Sequence, residues 1–290
     1  MKCFLSQFFI NLAKGLTSDF LSIFKVHTKK YSLPKDADSV FFAVAPVINI
    51  CVAMLVFLLI PFSEKAAFAN VEAGLFLVFV VLCLDVFGCI MAGIGSNTRN
   101  AVIGSLRAAR QIINSRLVAF SSVIPVVISS HSLKFADIVD AQRDMWFVFP
   151  HILTFIGFVF SMIAFMMLKP LNFSDGTTEI TGGYRSEYSG LSLMLFDLGD
   201  ILSMLAVAAF VTVMFLGGWL PIGGALWLLK IPQFVWFVLK IALCLVLMMF
   251  IKYTTPRFRE DQLLGFLWKF IFPINVFWSF FTAGYVVFNG

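Results

Sequence analysis

Charge is scarce: only 13% of the 290 residues are Asp, Glu, Lys or Arg, against 60% that are apolar. So little charge excludes a water-soluble surface, and a mean hydropathy of +0.96 places the chain among polytopic membrane proteins. Ligand-type cysteine spacing is a second absence. Cys3, Cys51, Cys83, Cys89 and Cys244 form no C-x-x-C pair, which argues against a disulfide framework, an iron–sulfur cluster or a bound metal. A glycine-rich dinucleotide fingerprint is missing too, so no flavin site is expected in this chain. Basic residues outnumber acidic ones, 21 to 16. They are scattered beside apolar segments rather than gathered into an arm or stripe, which points to membrane topology and not to nucleic acid as a partner.

What is present is a series of apolar runs. Residues 1–38 read as an amphipathic surface segment, because Phe8, Phe9, Leu12, Leu16, Phe20, Ile23 and Phe24 recur at helical spacing among Lys14, Asp19, Lys25, Lys29 and Lys30. No run there approaches the ~20 residues that a spanning helix needs. The apolar stretches are also too broken for a signal peptide, and no small-residue cleavage site follows. Beyond Pro34 come seven runs of spanning length, at 39–62, 74–95, 112–130, 145–168, 191–216, 232–251 and 264–288. They predict one all-α membrane domain over 39–290, about seven transmembrane helices in the lipid bilayer. Lys and Arg are dense in the N-terminal segment and in loops expected at 96–111, 169–190 and 252–263. The alternate loops hold only Lys65, then Lys134 with Arg143, then Lys230. By the positive-inside rule the N-terminus and the dense loops face the cytoplasm, and the C-terminus faces the other side.

Charges inside such runs are costly, so each asks for a reason. A cation at the bilayer centre costs roughly 3 kcal/mol on insertion scales; Lys240, in mid-run, is therefore read as functional or held in an ion pair. Asp85 cannot snorkel from mid-span, and pairing with Arg116 on the next, antiparallel helix is the economical solution, with Lys240 the other candidate. Arg107 and Arg110 either satisfy the positive-inside rule or hold the acidic loop. His131 and His151, near outer helix ends, read as solvated polar groups. The loop at 169–190 holds Asp175, Glu179, Arg185 and Glu187, and it leads into a helix bearing Asp197 and Asp200. A connection of that length is usually functional or disordered, and a merely disordered one seldom feeds intramembrane acids. Asp200 lies about ten residues into its helix, roughly 15 Å along the axis.

The run Glu179-Ile180-Thr181-Gly182-Gly183-Tyr184-Arg185-Ser186-Glu187-Tyr188-Ser189-Gly190 resembles the ELVAGYxxEYSG signature of the H subunit of bacterial respiratory NADH–quinone oxidoreductase, equivalent to subunit 1 of mitochondrial complex I. Collinear matches run from about residue 17 to the end: Ala45-Pro46; Ala92-Gly93 with Ser96-Asn97; Gly104-Ser105-Leu106-Arg107 with Gln111; Ala141-Gln142; Phe215-Leu216-Gly217-Gly218-Trp219; and Pro256-Arg257-Phe258-Arg259 with Asp261-Gln262-Leu263 and Trp268-Lys269.

There are departures. Members of the family normally begin with a further spanning helix and a basic GPNRVGP loop. Their acid-rich loop keeps only Asp175 and Glu179 here, the glutamate after Gln111 is Arg116, and the membrane glutamate beyond EYSG is Asp200. The resemblance implies a subunit that holds no redox centre and whose substrate is quinone. It implies other membrane and quinone-module subunits as partners, and a bacterial or mitochondrial inner membrane as location. Phe20, Phe24, Lys25 and Arg185 would line the quinone site; Asp175, Glu179, Glu187 and Asp200 would couple it to proton transfer; Asp85, Arg107, Arg116 and Lys240 would be structural charges. Two other readings stay open: the membrane subunit of an energy-converting hydrogenase, and a divergent scaffold paralogue without a proton path. A stand-alone transporter is disfavoured, since no inverted repeat is visible.

Overall fold

In the computed structural model, residues 37–63, 71–165, 183–221, 232–254 and 260–289 are described. Among them the regular structure is helical: α1 (Ser39–Leu59), α2 (Gly74–Gly95), α3 (Arg99–Ser130), a short α4 (Phe135–Asp140), α5 (Ile152–Phe165), a 3-10 turn (Gly183–Arg185), α6 (Leu191–Phe215), α7 (Gln233–Thr254), and α8 (Glu260–Phe266). A single π turn (Leu267–Ile271) joins α8 to α9 (Phe272–Asn289). Six of these stretches are long and apolar enough to cross a bilayer: α1, α2, α3, α6, α7, and α8 with α9. The protein is an all-α, multi-pass membrane protein. Phe277 and Phe280 on α9 are 71% and 75% exposed, an outward apolar face that suits lipid and not water.

Inside, α1 lies against α2 and α6, and α3 against α2, α5 and α9, so that α3 runs through the centre. Phenylalanine serves the core as well as the outer face: Phe210 of α6 meets Phe79 and Phe135 edge-on at 5.6 and 6.1 Å and Phe158 at 5.7 Å. Asn275 of α9, fully buried, donates to Ser121 and Ser122 of α3 at 3.2 and 2.7 Å. Small hydroxyl and amide groups of this kind join helices where lipid supplies no hydrophobic drive.

Two expectations about boundaries need correction. The stretch 99–111, expected within a loop, is the start of α3, because its Arg and Asn residues lower the hydropathy while Ala, Leu and Arg remain good helix formers. The run 145–168 is helical only from Ile152 among the described residues. Its first residues turn aside because their backbone bonds elsewhere: Val148 N donates to Phe215 O at 3.1 Å. Gln142 ties the same corner. Its Oε1 accepts from Gly217 N at 2.8 Å and from Phe147 N at 3.4 Å, and its Nε2 donates to carbonyls of Ile138, Val213 and Met214. The end of α6 is thereby fastened to the chain before α5.

Candidate functional site

Charged side chains from four elements meet on the inner faces of α1, α2, α3 and α6. Asp85 stands midway along α2 and Arg116 midway along α3, which runs back beside it. Arg116 Nη2 donates to Asp85 Oδ2 at 3.2 Å, with only 2% of the arginine side chain and 18% of the aspartate side chain exposed. The expected pair forms between the middles of two antiparallel helices.

The second pair was not expected. Asp200, in the third turn of α6, is gripped by both Nη atoms of Arg185: Nη1 donates to Oδ2 at 2.6 Å and Nη2 to Oδ1 at 3.0 Å. Asn49 Nδ2 of α1 adds a bond to Oδ1 at 3.3 Å. Such a planar fork on a carboxylate is the strongest geometry an arginine offers. Arg185 Nε donates in turn to the Tyr184 hydroxyl at 2.9 Å, and the guanidinium carbon lies 5.2 and 5.1 Å from the ring centres of Tyr184 and Phe196. The 3-10 turn that carries Tyr184 and Arg185 packs against both α2 and α3, the helices that hold Asp85 and Arg116. The two ion pairs thus lie on neighbouring elements of one helical bundle.

Local sequence explains how the turn reaches so deep. At Gly104 of α3 a Cβ would stand 2.9 Å from the backbone Tyr184 N, an approach only glycine allows, and at Gly199 of α6 it would stand 2.9 Å from the Asn49 side chain and push it aside. Tyr188 then fixes the turn by stacking on Phe42 at 4.0 Å. Burial raises the pKa of the Tyr184 phenol well above its ordinary value and keeps it a neutral donor. For Arg185 burial opposes the charge, but Asp200 and Tyr184 outweigh it and hold the guanidinium pKa well above its usual value.

The other sequence candidates fall as follows. Glu187, two residues past Arg185, is half-buried, as is Asp197 of α6. Arg107 is half-buried and Arg110 exposed on α3. Asp175, Glu179, Phe20, Phe24 and Lys25 lie outside the described residues. Lys240, read as functional or ion-paired, has no acidic partner among the described residues. Its Nζ donates to the carbonyls of Leu216, Gly218 and Leu220 at 2.6, 3.1 and 2.6 Å and lies 4.6 Å from the Trp146 ring centre. Those are carbonyls that the end of α6 leaves without helical donors, and a cation is favoured at that end of the helix. His151 is also not a solvated group: it is 3% exposed, accepts from Trp278 Nε1 at Nδ1 and bonds Ser129 through Nε2. Asn49 goes unmarked in the sequence, and Tyr184 and Gln142 stand there only as motif residues without a role; their signal is a polar side chain inside or beside an apolar run.

The cap at Lys240 gives a direct prediction. Lys240→Met leaves three carbonyls without their donor, each bond to a charged group being worth about 1.5–3 kcal/mol; a stability loss of about 3 kcal/mol is expected, and Lys240→Arg retains most of the wild-type value. Thermal unfolding of the purified assembly measures both, and an unchanged midpoint for Lys240→Met contradicts the assignment.

One ion pair between two spanning helices, and a second between a spanning helix and the polar turn beside it, place paired charges within a multi-pass membrane protein. Residues 10–283 match the family described as NADH dehydrogenase. The H subunit of NADH-quinone oxidoreductase from Rhodospirillum centenum is 34% identical over 94% of this chain and 81% of its own length. The H subunit from Paramagnetospirillum magneticum is 36% identical over 93% and 79%, and that from Brevibacillus brevis is 35% identical over 93% and 80%. The chain belongs to this family, the H subunits of NADH-quinone oxidoreductase, which are membrane subunits of complex I.

Proposed function

We propose that this chain forms part of the quinone-binding site of its complex and passes the consequence of quinone reduction to proton transfer in the membrane. The observation that carries this reading is the placement of Asp200, an acid within a spanning helix, in direct contact with the turn at the end of the 169–190 loop. Electrons arrive from a neighbouring subunit, and this chain holds no redox centre. The quinone tail lies along Phe20 and Phe24, with Lys25 and Arg185 near the ring. Asp175, Glu179 and Glu187 sense the charge and proton uptake of quinone reduction and relay it to Asp200. The N-terminus and the loop face the cytoplasm (or mitochondrial matrix), and the C-terminus faces the opposite side of the inner membrane. One observation favours the scaffold reading instead: both acids within spanning helices, Asp85 and Asp200, already have arginine partners.

Purification in mild detergent tests the assignment. The chain is expected to co-purify with other membrane and quinone-module subunits in an assembly that reduces quinone with NADH. A monodisperse, folded chain recovered without partners contradicts it.

A further inference from the structure

We propose that Arg185 is a positioning residue that latches Asp200, and that a proton passes through Asp200 only when the guanidinium swings away. This rests on the coupling role proposed above for Asp200. In the described state both carboxylate oxygens are occupied: Oδ2 by Nη1 of Arg185, Oδ1 by Nη2 of Arg185 and by Asn49. A proton arriving from the loop side adds to one of those oxygens and makes a neutral carboxylic acid. It needs the place that an arginine N–H now holds, and the guanidinium keeps its own charge throughout because arginine does not deprotonate in proteins.

The fold provides somewhere for the latch to go. Arg185 sits on a 3-10 turn and not on a helix, between Gly183 and Gly190, which both have φ of +60°. Glu187, two residues along the same turn and half-buried, offers an alternative carboxylate. Tyr184 and Phe196 present ring faces to the guanidinium and Tyr184 gives it an acceptor, so the cation keeps contacts while it changes partner. Among the described residues, the elements beside Asp200 carry Arg185 on the turn, Asp85 on α2 with its partner Arg116 on α3, and Asp197 on its own helix. Arg185 is the one of these that touches it through two bonds.

A latch differs from a structural pair in what its removal does. Arg185→Gln leaves Asp200 open to protons with no quinone turning over, so membranes should leak. The test imposes a pH gradient on vesicles carrying the assembled complex, without NADH, and follows its decay. Decay is expected to quicken about tenfold, the factor carried by about 1.4 kcal/mol of lost restraint. The double variant Arg185→Gln/Asp200→Asn is expected to return to the wild-type rate. Wild-type decay in assembled Arg185→Gln complex overturns the latch, and so does a leak that persists in the double variant. If Arg185→Gln does not assemble, Arg185→Lys takes its place, since an ammonium lacks the planar fork that grips both oxygens in parallel; faster decay supports the latch and wild-type decay overturns it. The coupling role itself fails on a separate result, normal NADH-driven translocation by Asp200→Asn alone.

Discussion

Asp85→Ala will lose about 3–5 kcal/mol of stability and most of the assembled complex, the cost of leaving a buried charge without its partner. The upper part of the range applies because Arg116 is 2% exposed and cannot reach water from the middle of α3. A surface pair would be worth far less. The two single variants should differ. With Asp85 gone, the guanidinium stays charged whatever its surroundings. With Arg116 replaced by Met, the lone carboxyl can take up a proton and become neutral, so Arg116→Met should be milder. Replacing both, Asp85→Leu with Arg116→Met, removes the charges together and should recover much of the stability, as apolar replacement of buried pairs often does. Native gels of the assembled complex and its thermal midpoint rank the three. Wild-type assembly by Asp85→Ala contradicts the pairing, and so does a double variant worse than either single one.

That pair was legible in the sequence because hydrocarbon makes an unpaired ion so costly that a second charge on the adjacent helix is nearly compelled. The spanning helices were legible for the same reason, from long apolar runs. What was hidden depended on backbone groups or on an irregular turn. The acceptors of Lys240 are carbonyls beyond the end of α6, which no side-chain pattern displays, although Gly217-Gly218 marks the place where a helix stops and leaves them open. The resemblance points Arg185 toward quinone, and nothing in the spacing of residues 185 and 200 announces a bidentate bond, since it exists only because the 3-10 turn brings Arg185 beside α6. The start of α3 was missed because hydropathy reports lipid contact and not helicity. His151 looked interfacial, yet Ser129 and Trp278 enclose it.

Asp200→Asn is expected to abolish most NADH-driven proton translocation while the complex remains assembled. The asparagine has nearly the same shape and can keep an amide contact with Asn49, but it cannot carry a proton. Removing a proton-transferring group typically costs a factor of about 10²–10⁴ in transfer rate, so translocation should fall at least about a hundredfold. Assembly should survive because the pair it breaks is not deeply buried. The Asp200 side chain is 35% exposed, and Arg185 keeps the Tyr184 hydroxyl and two ring faces; at that exposure the loss is nearer the ~1 kcal/mol of a surface pair. The measurement that bears most directly on a role in coupling is the number of protons taken up per quinone reduced, recorded together in inverted vesicles containing equal amounts of assembled wild-type or Asp200→Asn complex. The ratio should collapse in the variant, and an unchanged ratio would remove Asp200 from the proton route and leave this chain a scaffold.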